Sequence, residues 1–414
     1  MTSRERVVKA LNFEEPDRVP IDLGGTIMTG IMAQALDRLR AYLKLTPRTV
    51  KVYEVYQMLG EVEADVVERL EVDVLPVEPL VQFFGLRRDS YKPWTLPEGT
   101  PVLVPGQFEV EIDANGDYLM HHEGDFQQPV EGRMPKNGFY FDMAATIEEH
   151  PDFKPPSLEE LKGQDLLGSA ELEFLQERAE RLRRETDKAL HLGCWGKLGL
   201  PSVGSIPDFL CLLASDRGYV RDLFAVRTET ALANLEQLKS HLGDNIDIVG
   251  IDGNDYGSQR AELFSPDWFA ELYVPFFRQQ NDWIHANTRW KVWEHSCGSI
   301  AKIIPLLIEA GLDIINPVQC SATGMEPRQL KERFGDKIAF WGGGVDTQKT
   351  LPFGTAQDVE REVEERIRIL APGGGFVFNP IHNIQQGTPP ENVVAAYDTA
   401  HRVGTYPLSP PTQN

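Results

Sequence analysis

The stretch "KVWEHSCGSIAKIIPLLIEAGLDIINPVQC", residues 291–320, holds two runs of β-forming residues on either side of an amphipathic segment of helical period. The runs are "KVWEHSC" (291–297) and "DIINPVQ" (313–319). When a helix links two strands of one sheet, the strands are parallel, because the chain crosses back before it re-enters the sheet. The stretch therefore predicts a parallel sheet covered by helices.

The same alternation of strand and helix continues along the chain. Two strands alone would fit many folds, but eight runs in this order favour a (β/α)8 barrel, a TIM barrel, over an open doubly wound sheet, which remains the alternative. We expect α/β architecture in one domain, residues 1–414. The six further runs are "RVPIDLGG" (18–25), "DVLPVEP" (73–79), "ALHLGCW" (189–195), "DIVGIDG" (247–253), "IAFWGGG" (338–344) and "GFVFNPIH" (375–382).

Residues 87–150 interrupt this order after the second strand and are rich in Gly and Pro. Within them, Asn115-Gly116 lies between β-forming runs, which predicts a β-hairpin. On a barrel this insertion would lie at the catalytic mouth, either as a lid or as a structural flap. His121 and His122 are not expected to share a metal ion, because adjacent strand residues point to opposite faces.

Composition and charge limit the classes of partner. Of the 414 residues, 41% are hydrophobic and 25% charged, and the formal net charge is −22. That acidity disfavours nucleic acid and anionic membranes as partners and favours small molecules or proteins. There is no apolar window of membrane-span length and no signal-peptide pattern at the start, so we expect a cytoplasmic protein with four reduced cysteines.

A metal site is suggested by His295 and Cys297, which lie two residues apart at the end of a strand. Such residues project from the same face, and imidazole with thiolate suits Zn2+. A catalytic zinc needs a third protein ligand, for which His382 and Cys320 are the candidates, with Gln319 or a nearby carboxylate as a further alternative. The competing interpretation is a polar pocket without metal.

Polar residues after the fourth and eighth strands are candidates for substrate binding. They belong to "IDGNDYGSQ" (251–259) and to the end of the last run, where each could equally serve in turn chemistry. We expect Asp255 to be a catalytic acid or base, and the substrate-binding candidates are Asp252, Asn254, Gln259, Asn379 and Asn383.

Three segments of the chain resemble the uroporphyrinogen decarboxylase superfamily: "MTSRERVVKALNFEEPDRVP" at the start, "HSCGSIAKIIPLLIEAGLDIINPV" in the middle and "FNPIHNIQQGTPPENVVAAY" near the end. The superfamily contains the haem-pathway decarboxylase and corrinoid-dependent methyltransferases, and its members are (β/α)8 barrels. Its methyltransferase branch carries His-x-Cys, then a second Cys before Thr-Pro-x-Glu-Asn. His295, Cys297 and "TPPEN" (388–392) match, and His382 stands where the second Cys is expected.

The resemblance implies two enzymatic activities, of which methyl transfer fits better. True decarboxylases carry an Arg-Gln-Ala-Gly-Arg segment after the first strand, and "IDLGGTIMTGIMAQAL" here has no arginine. We therefore expect a zinc-dependent methyltransferase, with His382 and Asp255 as catalytic residues, that exchanges a methyl group between a small substrate and a corrinoid protein. A methoxylated aromatic or a thiol would be the substrate. The alternatives are a carboxy-lyase acting on a small acid and a non-catalytic binding barrel.

Overall fold

A computed structural model describes residues 1–143, 152–193 and 196–408 of the chain. The helices and strands alternate over most of this length. The strands are β1 (Val50–Glu54), β2 (Leu59–Gly60), β3 (Val74–Val77), β4 (Tyr91–Thr95), β5 (Pro101–Pro105), β6 (Val110–Ile112), β7 (Tyr118–His121), β8 (Val130–Met134), β9 (Asp142–Met143), β10 (Ala189–Gly193), β11 (Ile248–Asp252), β12 (Lys291–His295), β13 (Ile314–Asn316), β14 (Ala339–Trp341) and β15 (Phe376–Val377).

The α-helices are numbered in chain order, and the first two precede β1; short 3-10 turns also occur. They are α1 (Ser3–Leu11), α2 (Ala33–Tyr42), α3 (Ala64–Arg69), α4 (Leu158–Leu161), α5 (Ser169–Glu185), α6 (Ile206–Ser215), α7 (Arg217–Leu242), α8 (Pro266–Leu272), α9 (Val274–Asn287), α10 (Ile304–Glu309), α11 (Pro327–Phe334), α12 (Thr350–Phe353), α13 (Ala356–Leu370) and α14 (Pro390–Val403). In the part of the chain described, none of the helices has both the length and the apolar character of a membrane span.

The central sheet has seven strands in the order β15-β14-β13-β12-β11-β10-β3, and every neighbouring pair is parallel. Seven of the eight predicted runs each contain one of these strands. Cys194 and Trp195, at the end of the third run, lie outside the described residues. Along this sheet each strand lies next to the sheet strand that precedes or follows it in the chain, as in a barrel.

The remaining run, residues 18–25, connects the two edges of this sheet. Ile21 forms a parallel bridge with Phe378, directly after β15, and Asp22 N donates to Phe378 O at 2.8 Å. On its other side, Asp73 N, just before β3, donates to Ile21 O at 2.7 Å. The first strand is thus reduced to a short extended segment, and the predicted α/β barrel is confirmed.

The lower part of the barrel interior, where most strands begin, is apolar. Helix α1 lies against it and inserts Val7 and Leu11, both buried. This filling leaves the opposite end, where the strands reach their carboxyl termini, for polar side chains. The barrel residues that pack with α1 are Val74, Ala189, Ile248, Trp293, Ile314, Ala339, Trp341 and Val377.

The insertion after β3 is a folded unit. Strands β6 and β7 form the predicted hairpin, with Ile112 opposite Tyr118 and Gly116 at a φ of +86°, where a glycine is favoured. They join β8 and β9 in one sheet, while β4 and β5 join β1 and β2 in another. His121 and His122 contact different carboxylates, Glu111 and Glu131. Residues 144–150 of the predicted insertion lie outside the described residues.

Asp73 links β3 to the first run and to helix α1, where the barrel closes. Its fully buried carboxylate accepts hydrogen bonds from Arg6 Nη1 at 2.7 Å, Arg18 Nη1 at 2.6 Å and Ile21 N at 2.8 Å. Two arginines and a strand amide therefore share a single carboxylate, and a buried cation that loses its partner is costly.

We predict that Asp73→Ala lowers the free energy of unfolding by about 3 kcal/mol, because it leaves the two guanidinium groups without this acceptor. Urea denaturation followed by circular dichroism measures the change. Asp336→Ala is the matched control, since the Asp336 side chain is 80% exposed and its pair with Lys337 contributes little. Equal stability of the two variants would contradict the role given to Asp73.

His191 lies in the middle of the barrel, on β10. Its ring packs edge-on against Trp293 and Trp341, with centroid distances of 5.0 and 6.2 Å. Neither ring nitrogen has a hydrogen-bond partner among the described residues, and burial lowers the pKa of His191 to about 3. The folded barrel therefore keeps this imidazole neutral.

The pKa of His191 predicts a specific pH dependence of stability. Between about pH 6 and pH 4 the unfolded chain binds a proton at this residue and the folded chain does not, so stability falls as the pH falls, by about 1.4 kcal/mol per pH unit. In His191→Phe, urea denaturation at several pH values should show a slope shallower by up to that amount. An unchanged slope, or an NMR signal of His191 that titrates above about pH 5, would contradict this.

Candidate metal centre

The candidate site lies where the strands of the barrel end. His295 is the last residue of β12, and Asn316, the last residue of β13, is its partner in the parallel register. His382 follows β15 on the same rim. Parallel strands all end on one side of a barrel, so the fold brings these residues from distant parts of the sequence together.

Three side chains converge there. One potential ligand atom from each of His295, Cys297 and His382 lies within 4.8 Å of the other two. His295 Nε2 and Cys297 Sγ are 3.4 Å apart, and the two imidazole rings meet edge to face at 5.4 Å between centroids. Tetrahedral zinc with ordinary bond lengths would separate sulfur and nitrogen by about 3.6 Å. The His295–Cys297 pair therefore already has the spacing of zinc ligands.

The ring of His295 is held in the orientation that metal binding requires. Asn316 Nδ2 donates to Trp341 O at 2.9 Å, so Asn316 Oδ1 must face His295 Nδ1, which is 2.7 Å away. Nδ1 therefore carries the proton and donates it. The lone pair of the neutral ring is then on Nε2, which faces Cys297, as in zinc sites whose histidines are oriented by a second hydrogen bond.

His382 is held differently. Asn383 N donates to His382 Nδ1 at 2.8 Å, so the neutral ring in this position carries its proton on Nε2. A metal bound through Nε2 would need the proton to move to Nδ1, and one bound through Nδ1 would replace the bond from Asn383. The donor set of two imidazoles and one thiolate suits Zn2+, and two of the three ligands need no rearrangement.

Burial determines the protonation of the cluster. It lowers the pKa of His295, and burial together with the neighbouring His295 lowers the pKa of His382 to about 3. Burial and then the charge of Asp255 raise the pKa of Cys297 well above its ordinary value. Both imidazoles are thus neutral and able to coordinate, while the thiol keeps its proton until a cation displaces it.

Asp255 borders the cluster from the loop after β11. Its Oδ1 accepts a hydrogen bond from Cys297 N at 2.7 Å and lies 3.7 Å from His295 Nε2, yet its side chain is 54% exposed. Two glycines allow this approach: a Cβ on Gly298 would lie 2.2 Å from Gly257 O, closer than any real contact. The loops after β11 and β12 touch only because both positions lack a side chain.

The other candidates in that loop are directed elsewhere. The register shifts between Gly250 and Asp252, a bulge that pairs Asp252 with Glu294 rather than with the residues of the cluster. Asp252 accepts from Tyr256 Oη and Asn254 Nδ2, and burial raises its pKa to about 6. Asn254 also donates to Leu200 O, and Gln259 is exposed. The structure does not bring these three candidates to the cluster.

The two candidate asparagines of the last run connect parts of the barrel. Asn379 Nδ2 donates to Asp22 O and Thr29 O, at 3.1 and 3.3 Å. Asn383 bonds to Gly30 N, Ile27 O and Gln57 Oε1 at 2.5 to 2.8 Å. These bonds tie the first barrel loop to the end of the sheet. They occupy the side chain of Asn383 with protein partners.

Cys320 and Gln319, the alternative ligands, lie outside the cluster. Cys320 Sγ contacts Val318 O at 3.2 Å and Gly343 O at 3.8 Å. Gln319 Oε1 accepts from Gly298 N at 2.7 Å and so supports the turn after Cys297. Of the proposed third ligands, the structure brings His382 into the cluster, and a nearby carboxylate, that of Asp255, lies with its Oδ1 3.7 Å from His295 Nε2.

Sequence reasoning missed Asn316 at the cluster and, further from it, the turn whose Gln57 Oε1 accepts from Asn383 Nδ2 at 2.7 Å. Asn316, which orients His295, lies in the middle of the run 313–319, and the parallel register could have placed it beside His295. The turn that contains Glu54 and Gln57 gave no signal, because it reads as part of an apolar segment. Glu54 accepts from Tyr56 N and Gln57 N, and burial raises its pKa to about 7.

Comparison with known proteins gives matches in sequence and in fold. A family described as "Uroporphyrinogen decarboxylase (URO-D)" matches residues 208–403. The uroporphyrinogen decarboxylase of Thioalkalivibrio sulfidiphilus is 28% identical over 99 residues, covering 23% of this chain and 27% of that protein. The one from Hamiltonella defensa is 30% identical over 96 residues, covering 22% and 26%. The match thus spans about a quarter of these relatives.

The fold extends the likeness beyond the matched segment. The structure of a methyltransferase from Methanosarcina mazei aligns with a TM-score of 0.55 over 97% of this chain and 99% of that chain, at 15% identity. At this identity the likeness concerns the fold. The segment of residues 208–403, which includes all three residues of the cluster, is similar in sequence to the uroporphyrinogen decarboxylase family.

Proposed function

We propose that this chain is a zinc-dependent methyltransferase that exchanges a methyl group between a small substrate and a corrinoid held by a partner protein. The observation that carries the proposal is the convergence of His295, Cys297 and His382, with one ligand atom each within 4.8 Å, on the catalytic rim of the barrel. The Methanosarcina mazei protein that shares the fold is itself described as a methyltransferase.

Each residue of the site has a role in this proposal. His295, Cys297 and His382 hold the metal, and Asn316 fixes the ring of His295. A bound Zn2+ supplies Lewis acidity toward the oxygen or sulfur of a substrate. Asp255 is close to the ligands and open to solvent, so it can accept the proton of a thiol or phenol that receives the methyl group. A methoxylated aromatic or a thiol is the substrate class that this chemistry suits.

Decarboxylation fits the site less well. A carboxylate substrate would call for an arginine or lysine at the cluster, and in the described ranges none forms an ion pair or hydrogen bond with His295, Cys297, His382 or Asp255. We also propose a cytoplasmic location, since Cys211, Cys297 and Cys320 are free thiols.

We predict that the purified chain binds about one zinc ion, and that His295→Ala and Cys297→Ser lose it, because each removes one of the two preformed ligands. Metal analysis after dialysis gives the stoichiometry. Cys320→Ser is the matched control: it removes a partly buried thiol outside the cluster and should keep its zinc. A folded wild-type chain without affinity for zinc would refute the metal site.

We predict that Asp255→Asn keeps the zinc and loses about 100-fold or more in turnover, because the amide cannot accept the substrate proton. The assay follows demethylation of methylcobalamin by candidate thiols and phenols through its visible spectrum, because in this direction the substrate loses its proton as it receives the methyl group. Full activity of the variant would remove Asp255 from the mechanism. If the zinc-loaded wild-type chain turns over none of the thiols or phenols but binds them, the non-catalytic barrel is favoured.

A further inference from the structure

A cavity lies on the outer wall of the barrel, and none of its lining residues belongs to the metal cluster. It is a groove of about 830 Å3 between α3, α5 and the sheet of β1 and β5, and β3 forms its floor. Helix α3 has six residues, too few to cover the outer side of its neighbouring strand, so Leu75 and Pro76 stay partly exposed. We call this cavity the α3–α5 groove. Its volume is in the range of small-molecule sites.

Glu78 is the unusual residue of this groove. Its side chain is 2% exposed, and neither carboxylate oxygen has a hydrogen-bond donor among the described residues. The nearest cation is Arg88, whose Nη2 is 3.9 Å from Glu78 Oε2, beyond hydrogen-bond distance. The guanidinium of Arg88 already donates hydrogen bonds to two backbone carbonyls, from Nε to Tyr53 O and from Nη1 to Pro79 O. A buried carboxylate without donors costs free energy until a ligand supplies them.

The groove also contains a cation without an anionic partner. Arg178, on α5, makes a single hydrogen bond in the described part of the chain, from Nε to Pro76 O at 3.4 Å, and has no ion pair there. Lys51 is different: it pairs with Glu61 at 2.7 Å and lies over the ring of Tyr91. Burial raises the pKa of Glu78 to about 7, although the charges of Arg88 and then Arg178 oppose the rise, so Arg178 is near Glu78 without pairing with it.

The groove thus offers a carboxylate that lacks donors and a guanidinium that lacks an anionic acceptor, and the two do not pair with each other. We propose that the α3–α5 groove binds a small zwitterion of the amino-acid class, whose ammonium group donates to Glu78 and whose carboxylate accepts from Arg178. A molecule with only one of the two charges would leave the other protein group unpaired, so the site selects for both. Tyr53 and Phe174 supply the apolar walls.

The test uses the full chain and isothermal titration calorimetry at about pH 8, where Glu78 is ionised. The probes are L-alanine, γ-aminobutyrate and 6-aminohexanoate, zwitterions with increasing separation of charge, and the single-charge controls are propionate and propylamine. We expect saturable binding of at least one zwitterion and none of either control at the same concentration. No binding of any zwitterion up to about 10 mM, or equal binding of a single-charge control, would overturn the proposal.

Variants locate the binding. Glu78→Gln and Arg178→Gln each remove one charge with little change in shape, and each should weaken binding of the preferred zwitterion about tenfold or more. Arg184→Gln is the matched control, since Arg184 lies on the same helix with a side chain 70% exposed and does not line the groove. Affinity unchanged in either charge variant would refute the site. Zinc content should be unchanged in all three, which separates this result from the proposed function.

Discussion

The structure depends on the closure of its seven-stranded sheet by a short extended segment, residues 20–22. Residues 20–22 bond to Phe378 on one side and to Asp73 on the other, and so join the first and last strands of the seven-stranded sheet. Closure curves the sheet. In a flat sheet, β12 and β15 would be about 14 Å apart, because three strand spacings separate them. On the curved rim, ligand atoms of His295 and His382 lie within 4.8 Å.

The interior of the barrel is divided by polarity along its axis. Helix α1 and small or branched residues fill the lower end. His191 lies between Trp293 and Trp341 in the middle, and the polar cluster occupies the upper end. Burial from below keeps the imidazoles of the cluster neutral, and neutral imidazole is the form that coordinates a metal. The apolar packing of the barrel thus keeps the two imidazoles at its rim in the form that can coordinate a metal ion.

The sequence predicts the barrel because strand and helix differ in their hydrophobic period, and seven of the eight runs contain a regular strand. The first run does not, since its pairing is limited to the hydrogen bonds that residues 20–22 form with Phe378 and Asp73. The orientation of Asp252 could not be predicted, because a bulge between Gly250 and Asp252 reverses the alternation that a regular strand would have.

The third ligand of the proposed zinc site could not be predicted from the sequence either. Sequence spacing places Cys320 and His382 on the same rim and gives no reason to choose between them. The choice depends on side-chain direction, and Cys320 Sγ lies against Val318 O and Gly343 O while His382 faces His295. The orienting role of Asn316 likewise depends on an amide hydrogen bond to Trp341 O, which no local pattern encodes.

The central claim is that His295, Cys297 and His382 together bind zinc. X-ray absorption spectroscopy at the zinc edge of the purified, zinc-loaded chain tests it most directly. The account predicts one sulfur at about 2.3 Å and two imidazole nitrogens at about 2.0 to 2.1 Å in the first coordination shell. A shell of nitrogen and oxygen without sulfur, or one with two sulfurs, would contradict it.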